Sequence, residues 1–222
     1  MPSLQASTGV LRSSVRKLLN KVKALKRSPL KLVVDGRIKE FKQLGRKPAD
    51  ELFKELCFCI LTANFNAERG IKIQNALGKE FIEAKEKALA SKLKEHGHRF
   101  PNARAKYIVE ARRHKDILKE AVKKAGGEHE LREYLAKNVK GLGYKESSHF
   151  MRNIGFDNCA IIDFHIVDIL AEHKLIDEVK TLSRKTYMHI ESVLNKLAAK
   201  LGLTLAELDL YLWYLETGKI LK

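Results

Sequence analysis

The 222-residue sequence has only three cysteines, Cys57, Cys59 and Cys159. Three thiols cannot fill a four-cysteine zinc or iron–sulfur site. The Cys57-x-Cys59 pair lies inside the apolar run ELFKELCFCILTA, where both residues read as core. No stretch approaches the ~18–20 apolar residues needed to span a bilayer. The opening MPSLQASTGVLRSSVRKLL lacks the apolar centre of a secretory signal, so an intracellular protein of the cytoplasm or nucleoid is expected. Alternating runs that would specify strands are missing, as are internal repeats and low-complexity linkers. Acidic residues are few beside basic ones: 27 Asp and Glu against 43 Lys and Arg, a formal net charge of +16. Such an imbalance points to a polyanionic partner, nucleic acid or an anionic membrane surface. The excess is spread along the chain without a polybasic tail, which fits a folded protein with a basic face better than an electrostatic membrane anchor. Sparse Cys and Gln beside abundant Lys and Glu lean towards a thermophilic source.

What is present reads as nearly all helix. Apolar residues make up 45% and charged residues 32%, the balance of a globular protein. Residues 11–27 form a basic amphipathic helix ended by Ser28-Pro29. Asp35-Gly36 reads as a turn within the ambiguous stretch VVDGRIKEFKQLGRKP. Pro48 suits the start of a helix over 48–62. Asn66 can cap a helix that runs to Leu77 and is stopped by Gly78, and FIEAKEKALASKLKEHG is another helix ending at Gly97. Pro101 opens one long helix to Gly126-Gly127. A short helix over EHELREYLAKNV has Leu131, Tyr134 and Leu135 inward. Ser183 can cap a helix to Ala199, and Thr204 with Glu207 is a capping-box match that opens the last helix.

The stretch KGLGYKESSHF, residues 140–150, joins two helical segments through a Gly-Leu-Gly turn, a helix–hairpin–helix candidate. Glycines let the backbone approach a ligand closely. Free N–H groups of the turn and of the next helix's first residues can bind phosphate oxygens, which makes Gly141, Gly143, Tyr144 and Lys140 candidate DNA phosphate contacts. Carbonyls of Lys137, Val139 and Leu142 are placed to hold a monovalent cation that bridges to the phosphate; a plain helix–helix turn is the alternative. Lys145 follows the turn at a helix N-terminus, where the dipole disfavours an ammonium. The dipole, nearby basic residues and partial burial all favour the uncharged amine, a nucleophile able to form a Schiff base with a sugar carbon. An ordinary phosphate-contacting lysine is the competing reading.

Asp163, in the apolar AIIDFHI, sits at an apparent helix start. There an aspartate is an ordinary N-cap, yet the same cap points a carboxylate out of an apolar wall, where it can stabilise positive charge developing on a sugar. Trp213 in LYLWYLETG reads more readily as core than as base platform, and Phe100 before Pro101 reads equally as a hydrophobic staple. His149 and His165 read as helix residues, and no catalytic metal is expected.

The hairpin, its lysine and the apolar-flanked aspartate together resemble the helix–hairpin–helix DNA glycosylase superfamily (the HhH-GPD fold). KGLGYKESSHFMRNIG with AIIDFHI is similar to the archaeal-type (type 2) 8-oxoguanine DNA glycosylase/AP lyase branch, as are LCFCILTANFNAERG, RFPNARAKYIVEAR and LDLYLWYLETGKILK; the likeness spans roughly residues 50–222. It implies an all-α, two-lobed protein with DNA in a cleft between the lobes. The first is a helical barrel domain over 48–146 that ends in the hairpin, and the second is formed by 1–47 plus 147–222. It implies base excision repair by a monomer on double-stranded DNA with an oxidised base, needing no cofactor and no iron–sulfur cluster. Lys145 matches the catalytic lysine and Asp163 the catalytic aspartate. Phe100 and Trp213 match aromatics that sandwich the extruded damaged base, and Lys222 a terminal lysine tied to recognising it. A glycosylase for another oxidised base, a non-enzymatic hairpin module that binds DNA structure, and an RNA-binding accessory protein remain alternatives.

Overall fold

The computed structural model describes residues 4–123 and 127–222. Their regular structure is entirely helical, and no strand occurs among the described residues. In chain order the helices are α1 (Leu4–Lys26), α2 (Leu30–Leu44), α3 (Ala49–Thr62), α4 (Ala67–Glu83), α5 (Glu86–Glu95), α6 (Pro101–Ala111), α7 (Lys115–Lys123), α8 (Glu128–Asn138), α9 (Tyr144–Asn153), α10 (Phe164–Glu172), α11 (Arg184–Leu201) and α12 (Leu205–Thr217), with a 3-10 turn, Arg112–His114, between α6 and α7.

The chain divides into two compact units. One is continuous, Lys39–Cys159; the other combines residues up to Ile38 with Ala160–Ile220. The joints at 38/39 and 159/160 differ from the expected 47/48 and 146/147. The reason is packing. α9 buries Ser147 through Asn153 and packs on α3 and α8, so it belongs to the continuous unit. The end of α2 also belongs there. A Cβ on Gly45 would lie 2.1 Å from the Ile154 carbonyl oxygen, so only glycine allows that close approach.

In the continuous unit α3 is the central element. Its residues from Leu52 to Thr62 are buried with one exception, Lys54, the pattern of a helix enclosed on all sides. It packs against α4, α6, α7 and α9. Its one buried acid, Glu55, accepts hydrogen bonds from Gln74 Nε2 at 3.0 Å and Asn153 Nδ2 at 2.6 Å, which ties α3 to α4 and α9.

The second unit builds its core from Leu18 and Val22 of α1, Val34 of α2 and the inner faces of α10, α11 and α12. The apolar stretch Ala160–Ile162 is buried without being helical. Its main chain is satisfied by α11 instead: the Ala160 N–H donates to Glu191 Oε2 at 2.8 Å, Tyr187 Oη donates to the Ala160 carbonyl at 2.7 Å, and the Ile162 N–H donates to Tyr187 Oη at 3.2 Å.

Three expected boundaries are corrected. Asp35-Gly36 is not a turn: α2 runs through it, because Val34 and Phe41 fall on one buried helix face and that burial outweighs a glycine cost of ~1 kcal/mol. Gly78 does not stop α4, which continues to bury Phe81 and ends at Glu83. The long helix after Pro101 is two helices broken at Arg112–His114. There the Arg112 guanidinium donates to the carbonyls of Glu80, Phe81 and Ala84 at the end of α4.

Candidate functional site

α8 gives way to α9 through residues 139–143. Gly141 holds φ +88°, and a Cβ there would stand 2.7 Å from Tyr107 Cδ2, so both conformation and space demand glycine. Leu142 is buried beneath the turn, and its N–H donates to the Val139 carbonyl at 3.2 Å. Gly143 is the N-cap of α9 but has no side chain to cap with. Only the return half of a capping box forms: the Gly143 N–H donates to Glu146 Oε2 at 3.1 Å. This corrects the expectation of free turn amides, since the amides of Leu142 and Gly143 are both engaged.

Lys145 stands in the first turn of α9, its side chain 28% exposed, with Nζ 3.8 Å from Glu146 Oε1. A carboxylate therefore stands beside the amine in addition to the basic neighbours expected from sequence. The neighbouring candidates face carboxylates too. Lys140 pairs with Glu110 at 3.0 Å, and that contact holds the Glu110 carboxyl below the usual range. Tyr144 Oη donates to Glu133 at 2.5 Å, and the Arg132 guanidinium lies over the Tyr144 ring at 5.6 Å.

Phe100 is exposed at the start of α6. The guanidinium groups of Arg99 and Arg104 lie 5.0 and 5.8 Å from its ring centre. Arg104 also donates to the Ala63 carbonyl at 2.5 Å. Burial lowers its pKa, an effect countered by Tyr107 and Glu146.

In the other unit Asp163 caps α10, accepting from the Ile166 N–H at 3.1 Å. α10 packs on α12. His165 meets the Trp213 ring edge-on at 6.1 Å, and its Nδ1 lies 3.6 Å from Glu216 Oε1. Trp213 is half-buried, with its indole N–H buried and unpartnered. Lys222 is half-buried. The residues singled out from sequence thus divide: Phe100, Lys140, Gly141, Gly143, Tyr144 and Lys145 lie in the continuous unit, and Asp163, Trp213 and Lys222 in the other.

A protein-family model described as 8-oxoguanine DNA glycosylase matches residues 34–203. The chain is 52% identical over 206 residues to the 8-oxoguanine DNA glycosylase/AP lyase of Methanocaldococcus jannaschii, covering 92% of this chain and 99% of that one. It is 50% identical over 206 residues to the protein of the same name from Korarchaeum cryptofilum, covering 92% and 98%. The fold matches a crystal structure of the M. jannaschii 8-oxoguanine glycosylase/lyase in complex with a 15mer DNA containing 8-oxoguanine, with a TM-score of 0.89 and 52% identity over 93% of this chain and 100% of that one. The chain belongs to the 8-oxoguanine DNA glycosylase family.

Within this glycosylase family member, the three cysteines are buried and none is in a disulfide, and burial pushes the Cys57 thiol well above its usual range. No group of three His, Cys, Asp or Glu able to hold a metal occurs among the described residues. No helix among them is long and apolar enough to cross a membrane. His149 is a core residue, edge-on to Phe58 at 5.5 Å. Sequence reasoning missed Glu146, although Glu at N3 was a readable signal once Gly143 is taken as N-cap. It also missed Arg104 and His98, whose partners are carbonyls 41 and 37 residues away, which no local pattern encodes.

Proposed function

We infer that this chain is a bifunctional DNA repair enzyme that excises 8-oxoguanine from double-stranded DNA and nicks the strand at the resulting abasic site. The observation that carries this reading is the 52% identity to the M. jannaschii glycosylase/lyase over nearly the whole of both chains. The intracellular genome is its substrate.

Lysines and arginines neutralise phosphates and supply salt-sensitive, sequence-independent affinity. The hairpin residues Lys140, Gly141, Gly143 and Tyr144 hold the backbone beside the lesion. To receive a phosphate there, Glu146 must release the Gly143 amide and Glu110 must release Lys140. The turn's main-chain oxygens suit a hard monovalent cation; the carbonyls of Lys137, Val139 and Leu142 would hold it, and it would add positive charge opposite the phosphate. The damaged base leaves the stack, at a cost of a few kcal/mol, to lie between Phe100 and Trp213, with Lys222 reading its oxidised edge.

Chemistry then falls to two side chains. Lys145 Nζ, once deprotonated, attacks C1′ of the deoxyribose. The glycosidic bond breaks, and its electron pair leaves with the base, which takes up a proton. Asp163 offsets the positive charge that grows on the sugar. Opening of the sugar ring at O4′ gives the Schiff base. Loss of a C2′ proton then expels the 3′ phosphate and nicks the strand.

Borohydride added during turnover on an 8-oxoguanine duplex should trap a covalent protein–DNA adduct, and Lys145→Gln should abolish it. A wild-type protein that yields no adduct, or a variant that still yields one, removes Lys145 from the mechanism.

A further inference from the structure

We propose that His98 is a positioning residue for base capture, one that fixes the main chain of Phe100 so that its exposed ring meets the extruded base in a single orientation. This rests on Phe100 being a wall of the base pocket, as read above.

Phe100 is an N-cap residue, so its own N–H has no partner within α6. His98 Nδ1 takes that N–H at 3.0 Å. The same imidazole is buried and reaches the Leu61 carbonyl with Nε2 at 3.0 Å. Leu61 is in the last turn of α3, where carbonyls have lost their helical donors. An Nδ1 that accepts and an Nε2 that donates define one neutral tautomer. Burial keeps that form, holding the His98 pKa below its ordinary value. Phe65 packs on the ring, with centroids 4.2 Å apart. The main chain before His98 is closed as well, with the His98 N–H donating to the Leu93 carbonyl at 2.9 Å.

A second arm runs from the same helix end. Arg104 donates to the Ala63 carbonyl and lies over the Phe100 ring. Two open carbonyls at the end of α3 thus anchor two side chains that converge on one exposed aromatic. The anchoring is rigid although the ring itself is 39% exposed. That combination suits a stacking surface that is preorganised before its ligand arrives.

Two substitutions separate the imidazole's two bonds. His98→Asn keeps an acceptor near the Nδ1 position, and His98→Gln keeps a donor near the Nε2 position. Each full-length protein is assayed twice, for single-turnover excision on an 8-oxoguanine duplex and for strand scission on a duplex with a preformed abasic site. The second reaction needs no base pocket. His98→Gln should slow excision about tenfold and leave scission within about twofold of wild type, while His98→Asn stays near wild type in both. Phe100→Ala should show the same split as His98→Gln. Parallel loss of both activities in His98→Gln, or the deficit appearing in His98→Asn instead, would overturn the proposal in favour of a structural tie to Leu61. If Phe100→Ala shows the split and His98→Gln does not, the inference about His98 fails and the proposed function stands. If Phe100→Ala excises normally, the base-pocket reading itself fails.

Discussion

In Asp163 a backbone role and the proposed chemistry fall on one side chain. It accepts the Ile166 N–H and so closes the start of α10. Asparagine caps about as well as aspartate, whereas alanine forfeits roughly 1 kcal/mol. Asp163→Asn should therefore melt within a few degrees of wild type and bind lesion DNA with nearly unchanged affinity, yet lose about a hundredfold or more in excision. Asp163→Ala should lose both stability and excision, and thermal melts beside single-turnover rates distinguish the two variants. Two buried histidines set an acid limit. Burial lowers the pKa of His98, and burial together with Arg113 lowers that of His114. Each uses a ring nitrogen as acceptor, His98 from the Phe100 N–H and His114 Nε2 from Arg113 at 3.1 Å. As pH falls through about 6.5 the unfolded chain takes up protons that the folded one refuses, so stability must decline from there downward until the folded-state values are reached. Melting temperatures measured from pH 8 to 5 should fall in that window, and by less in His98→Asn.

Helix ends are where this sequence speaks most plainly. Asn66, Ser183 and Thr204 with Glu207 cap as their side chains foretell, since a cap is a local bargain between one oxygen and an N–H three residues on. Helix interiors are less legible. Asp35-Gly36 and Gly78 look like stops, but Phe41 and Phe81 beyond them are wanted by the core. The break at Arg112–His114 depends on carbonyls of α4 that sequence does not bring near. The candidate site divides in the same way. That Lys145 begins a helix and Asp163 caps one follows from neighbouring residues. That Lys140 faces Glu110, or that His98 ties Phe100 to α3, is tertiary. The hairpin also gives a direct test. Gly141→Ala places a methyl against Tyr107 at a positive φ, which should cost about 1–3 kcal/mol and weaken DNA binding. Urea unfolding and a binding titration report the two losses.

At the scale of the molecule, a net charge of +16 favours a polyanionic partner, and each phosphate it neutralises makes affinity more sensitive to salt. The hairpin's own cations are not idle before DNA arrives: Lys140 faces Glu110 and Lys145 faces Glu146. These pairs are exposed or half-exposed and individually weak, so a phosphate can displace them. Lys140→Ala should then lower affinity for all duplexes alike and reduce the slope of log K against log salt by about 0.9; an unchanged slope would mean Lys140 touches no phosphate. The division of the chain adds a temporal order. Residues 39–159 form an unbroken unit, so every residue of that stretch has been polymerised before Ala160 is added. α1 has no such luck: Leu18 and Val22 must wait for α11 and α12, made last. During that interval its apolar stripe lacks the helices that bury it in the folded chain. A chain halted between residues 146 and 162 would hold Lys145 without Asp163, so the chemistry proposed for that pair has to await the second unit.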